Sequence, residues 1–163
     1  MALCLGACGG GDGLPTGDYV LDSTAACDLG DAMGGSLGSL DLDGTVELIM
    51  PTGTEIDDCR SVLRMYTGGQ RCELCITGEP MGNMWDLGPR YPTGTVALPS
   101  CRMAASTAGR QLDGQDLIGT FRTASDGSIL FDYYFSGELR DTPGAAPETV
   151  GVACHIRALP EAP

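Results

Sequence analysis

The chain has 163 residues, a net charge of −13, and nine cations that are all arginine. That length suits one domain with a real core, since domains commonly hold about 100–150 residues. An acidic surface repels phosphate backbones and anionic headgroups, so no nucleic acid is expected as a partner. The missing lysine excludes Schiff-base chemistry and the lysine-bearing phosphate loop.

The N-terminus opens with Leu5-Gly6-Ala7-Cys8, followed by Gly9-Gly10-Gly11. Leucine, two small residues and a cysteine at the end of an apolar run resemble the lipobox of bacterial lipoproteins. In that family the signal peptide is cut before the cysteine, whose thiol then receives a diacylglyceryl group. Met1–Leu5 is shorter than an h-region of about 7–15 residues and lacks a basic flank, so residues 1–7 read as the remnant of a signal truncated at its start. Residues 8–16 then read as a Gly-rich tether. The resemblance implies attachment to a membrane through a lipid on Cys8. A residue other than Asp after that cysteine, here Gly9, implies sorting to the outer membrane of the bacterial cell envelope. No window of the chain approaches the about 18–20 apolar residues of a helical span.

Beyond the tether, strand signals recur every ten to fifteen residues between Gly, Pro and Asp turns. The first is Gly17–Ser23. Ala25–Met33 has the composition for one or two helical turns. Around Asp43-Gly44-Thr45 a hairpin is expected to pair Leu42 with Val46 and Leu40 with Leu48. Around Thr67-Gly68-Gly69-Gln70 a second pairs Leu63 with Leu74 and Met65 with Cys72. A long connection covers Gly78–Gly94, and another strand Thr95–Met103. Asp116–Ala124 and Ser128–Gly137 alternate cleanly: a three-residue loop Ser125-Asp126-Gly127 sets Phe121 opposite Phe131, Gly119 opposite Tyr133 and Leu117 opposite Phe135. A two-residue loop would put Phe121 against Asp132 and expose half the core. Thr149–Arg157 closes a single β domain over residues 17–157, with residues 158–163 as a coil tail.

The fold class is therefore all-β: a small antiparallel meander barrel of eight or nine strands, with a two-layer β-sandwich as the alternative. Gly17-Asp18-Tyr19 resembles, at one point only, the Gly-x-Trp that opens lipocalins. That likeness implies a carrier of a small hydrophobic ligand.

If Cys4 leaves with the signal and Cys8 carries lipid, six cysteines remain: Cys27, Cys59, Cys72, Cys75, Cys101 and Cys154. An exported domain would pair them as three disulfides in any of fifteen connectivities. Cys72-Glu73-Leu74-Cys75 matches the C-x-x-C redox motif, but in a strand residues three apart point to opposite faces, so these two sulfurs cannot meet. No second pair of zinc ligands accompanies it. Gly34-Gly35-Ser36-Leu37-Gly38 fits G-x-S-x-G, yet a strand and not a helix follows Ser36, which is wrong for a nucleophile elbow. His155, the only histidine, sits on the face opposite Val152, Cys154 and Ile156 and reads as a surface residue. Asp41, Asp43, Asp57 and Asp58 offer hard oxygens without the spacing of a calcium loop, so no metal is assigned. In Gly78–Gly94 the apolar residues Met81, Met84, Trp85 and Tyr91 form a candidate contact loop for a protein or small ligand, or else a cover over the open end of the barrel.

These features together describe a non-enzymatic, cofactor-free, disulfide-bonded β domain acting as a structural or interaction module, with the lipocalin-like carrier as the alternative.

Overall fold

The computed structural model describes residues 14–49, 59–89, 101–104, 110–142 and 144–161. Eleven strands occupy them. In chain order they are β1 (Gly17–Leu21), β2 (Ala26–Gly30), β3 (Ser36–Asp41), β4 (Gly44–Ile49), β5 (Ser61–Thr67) and β6 (Gln70–Met81), then β7 (Met84–Pro89), β8 (Cys101–Ala104), β9 (Gln111–Thr123), β10 (Ile129–Arg140) and β11 (Glu148–Pro160). Eight of these close a ring in the order β1-β4-β5-β6-β7-β9-β10-β11, with β11 returning to β1. Every pairing is antiparallel. The fold is a closed barrel, with β2, β3 and β8 outside the ring.

Two long strands make both the closure and the additions. The end of β11 pairs with β1 (Leu21 with Ala158, Tyr19 with Pro160), while an earlier stretch of the same edge pairs with β2 (Cys27 with Cys154). On β9, residues near Phe121 pair with β7 and residues near Leu112 pair with β8. The meander is therefore interrupted by two excursions: β2 and β3 extend the sheet beyond β11, and β8 fills in beside β9.

Alternation dictates the core. Along β10, Ile129, Phe131, Tyr133, Phe135 and Leu139 are buried, and their neighbours face outward. Phe121 lies opposite Phe131 and Gly119 opposite Tyr133, as the three-residue loop requires. That loop is closed by a hydrogen bond from Ala124 N to Ser128 O (2.9 Å). The third expected pair, Leu117 with Phe135, falls on a bulge: Tyr134 faces Ile118, but Ser136 faces Gln115. The extra residue keeps Leu112 and Gly114 inward on one side of the bulge and Leu117, Gly119 and Phe121 inward on the other. Leu63 pairs with Leu74 and Met65 with Cys72 across a tight turn at Gly68 and Gly69, whose φ values of 51° and 79° suit a two-residue hairpin.

Four expectations need correction. Ala26–Gly30 is a strand, not helical turns, because its alternate residues Cys27 and Leu29 are buried on the barrel side. Leu40 does not pair with Leu48, nor Leu42 with Val46. Instead β3 pairs with β2 and β4 lies between β1 and β5, so the chain turns a corner at Asp43-Gly44. The C-terminal tail is not coil up to Ala158–Pro160, which extends β11 and closes the ring on β1. Within the supposed tether, Leu14 is buried in the core; residues 8–13 lie outside the described residues, as does the expected strand over residues 95–100.

The six cysteines form three disulfides: Cys27–Cys154, Cys59–Cys75 and Cys72–Cys101. The first ties β2 to β11 at directly opposed positions, and the last ties β6 to β8. Cys72 faces the main core, while Cys75 sits on the other side of β6 in a small apolar cluster with Cys59 and Val62.

Candidate functional site

Cys72 and Cys75 are committed to different disulfides on opposite faces of β6, so the C-x-x-C motif does not act as a pair. Ser36 begins β3 and lies opposite Gly30, which in turn lies opposite Gly151. His155 is four residues further along β11, about 13 Å at strand rise. The two are not brought together.

His155 instead belongs to an outward row on the barrel wall. Its Nδ1 lies 2.9 Å from Asp132 Oδ1, and Arg122 approaches the other carboxylate oxygen at 3.5 Å. The Tyr134 ring meets the imidazole edge-on at 6.5 Å. The dyad is open to solvent, and an exposed His–Asp pair of this kind has little electrostatic leverage. Its carboxylate is shared with Arg122. Among the described residues no group of three or more His, Cys, Asp or Glu is placed to hold a metal ion; Asp57 and Asp58 lie outside them.

The candidate contact loop is largely a hairpin. β6 runs on to Met81, Gly82 and Asn83 make the turn, and β7 begins at Met84. Strand geometry then separates the residues that sequence grouped together. Trp85 points into the barrel, 5% exposed, with its ring 5.9 Å from that of Phe121. Its Nε1 has no hydrogen-bond partner among the described residues. Met81 and Met84 face solvent, and the exposed Ile118 and Tyr134 lie opposite each other further along β9 and β10. Tyr91 and Cys8 lie outside the described residues.

Two grooves mark the outer surface. One, of about 460 Å³, holds Arg102, Asp113, Glu138 and Arg140. Its charges satisfy one another: Asp113 receives Arg102 on one oxygen and Arg140 on the other, and Arg140 also reaches Glu138. The other, of about 800 Å³, runs over β11, β2 and β3. Its floor is bare backbone at Gly30, Gly38 and Gly151, and its walls carry Asp28, Asp31, Ser36 and Ser39. Asp31 accepts hydrogen bonds from Met33 N (2.8 Å) and Gly35 N (2.7 Å), which fixes the β2–β3 turn. Asp28 and, along β3 and its exit, Asp41 and Asp43 have no cation beside them among the described residues.

No family model matches the chain, and none of the curated proteins or solved structures compared with it is similar to it.

No sequence motif marks this second groove, but the charge distribution carries a signal for it. Arg60 is the first cation of the chain, and eleven of the 22 acidic residues precede it. That N-terminal third thus carries eleven of the thirteen net negative charges.

Proposed function

We propose that the protein is a lipid-anchored, disulfide-stabilised β domain of the bacterial cell envelope, held at the outer membrane, that works as a structural or interaction module without a catalytic site. The observation that carries this reading is the division of the cysteines. Six of the eight pair among themselves within the domain, leaving Cys4 and the lipobox residue Cys8 as the two outside that set. Three disulfides suit an oxidising compartment. A barrel interior occupied by Phe121, Phe131 and Tyr133, each 0% exposed, favours a filled scaffold over a container.

Expression behind a complete signal peptide tests it. The wild-type chain should fractionate with membranes and carry acyl chains, and Cys8→Ser should move it to the soluble fraction, since the several chains of a mature lipoprotein anchor firmly. An unchanged membrane fraction in the variant would overturn the assignment.

The lipocalin-like carrier has one specific observation in its favour. Trp85 Nε1 is a buried donor with no acceptor among the described residues, which a polar atom of an enclosed ligand would satisfy. A small hydrophobic molecule retained through native purification, and quenching Trp85 fluorescence, would support that reading.

A further inference from the structure

The sheet does not end at the barrel. β2 and β3 project from β11, and among the described residues β3 pairs on one edge only, with β2. Among the described residues no strand covers its other edge. Exposed edges are usually blunted by lysine, proline, inward charge or a bulge. The stretch Ser36–Leu40 has no lysine, proline or charge, and its only such device is a bulge where Leu29 faces Gly38 and Gly30 faces Ser36. Gly38 holds a φ of 94°, which only glycine adopts without strain.

The electrostatics around this edge have a single sign. Asp28 lies directly opposite Ser39 and opens into the glycine-floored groove; Asp41 ends β3, and Asp43 follows it. The strands β1 to β4 contain no cation at all. Arg157 on β11, the strand that β2 pairs with, is engaged by Asp22 and Asp126. Elsewhere on the barrel some acids are met by arginines of neighbouring strands, as Asp113 and Glu73 are, while among the described residues Asp18, Asp86 and Glu148 stand singly on three different strands. Asp28, Asp31, Asp41 and Asp43 thus form one group of uncompensated acids beside an edge that no described strand covers.

We propose that the β3 edge is a docking site for an extended, arginine- or lysine-bearing polypeptide segment, which adds to the sheet as a further strand. Main-chain hydrogen bonds to Ser36–Asp41 hold the segment, and its alternate cationic side chains meet Asp41 directly and reach across Ser39 to Asp28. This is strand addition with charge complementarity, in which the backbone gives affinity and the alternate side chains give selectivity. A second copy of this acidic chain is disfavoured by the same charges. The proposal rests on the interaction-module reading and names its partner class.

The test uses the disulfide-bonded chain and three labelled ten-residue peptides. One alternates arginine with valine, one has glutamate in place of arginine, and one is the arginine peptide with alternate backbone amides N-methylated. Binding is read by fluorescence anisotropy, and its location by amide hydrogen exchange. The arginine peptide should bind at least tenfold more tightly than either other peptide and should protect Ser36–Asp41. Asp28→Asn with Asp41→Asn, both on exposed positions, should weaken it at least tenfold and remove most of its salt dependence. Equal binding of the N-methylated peptide, or no binding at about 1 mM, would overturn the proposal. Protection confined to the Met84, Ile118 and Tyr134 face would overturn it too, while leaving the module reading in place. Cleavage of the peptide would overturn the module reading itself.

Discussion

The ring of Phe135 lies across Gly114 so closely that a single methyl group at that glycine would overlap it. Gly114 belongs to β9 and Phe135 to β10, next to the bulge that re-aims β9, so the missing side chain on one strand is the space the aromatic fills on the other. Gly119, opposite Tyr133 on the same pair of strands, is crowded differently: a methyl group there would meet the Asp132 carbonyl and the Tyr133 backbone and Cβ.

Gly114→Ala should therefore destabilise the domain by about 1–3 kcal/mol, the usual cost of overpacking a filled core. Gly88 on β7 has open space where its Cβ would go, and Gly88→Ala should change stability by no more than about 0.5 kcal/mol. Urea unfolding of the two variants side by side checks the difference.

A second prediction concerns Tyr133, whose hydroxyl donates to the Met103 sulfur at 3.0 Å inside the barrel. Burial holds its phenol far above the ordinary value of 10.0. The unfolded chain releases this proton near pH 10 and the folded chain does not. The stability tied to the neutral phenol is thus complete below pH 10 and declines as the pH rises beyond it. Tyr133→Phe should cost about 1 kcal/mol at neutral pH and should flatten the alkaline fall in stability. Rapid-mixing unfolding between pH 8 and 11 measures both, on a timescale too short for disulfide exchange.

Trp85 and Met84 should behave oppositely although they are adjacent. Trp85→Ser should destabilise by about 3 kcal/mol or more, because the indole is buried against Phe121. Met84→Ser and Met81→Ser, on the solvent side of the same hairpin, should stay within about 0.5 kcal/mol. Thermal unfolding of the single variants reads the contrast, and the emission of this lone tryptophan should be that of a buried indole.

The disulfides should contribute unequally. Cys27–Cys154 spans 127 residues and Cys59–Cys75 spans 16, so the chain-entropy argument gives about 5 kcal/mol for the first and about 3 kcal/mol for the second. Replacing each pair by alanine and measuring guanidinium unfolding tests the order. Peptide mapping without reduction should return the three linked pairs found here.

What could be read from the sequence was local. The alternation in β9 and β10 fixes the Phe121–Phe131 register, because a slip by one residue would expose every aromatic at once. The Gly68-Gly69 hairpin was legible for the same reason. The pairings that close the barrel were not. Nothing in Gly17–Leu21 announces that it lies between β4 and the last three residues of β11, some 140 positions away. Leu40 and Leu48 look like hairpin partners because they straddle Asp43-Gly44 symmetrically. Both edges of β4 are taken by β1 and β5, which leaves β3 to pair outside the ring. A similar non-local effect hid the groove. Asp28, Ser39 and Gly151 come from three separate stretches and meet only because β2 bridges β3 to β11.

The most direct test of the lipid-anchored module is non-denaturing mass spectrometry of the protein extracted from its native membrane. One spectrum reports the lipid on Cys8, the number of disulfides and any retained ligand. The account predicts an acylated species with Cys8 at its mature N-terminus and three disulfides, and no small molecule in the barrel. A soluble species with an unmodified Cys8 would contradict it.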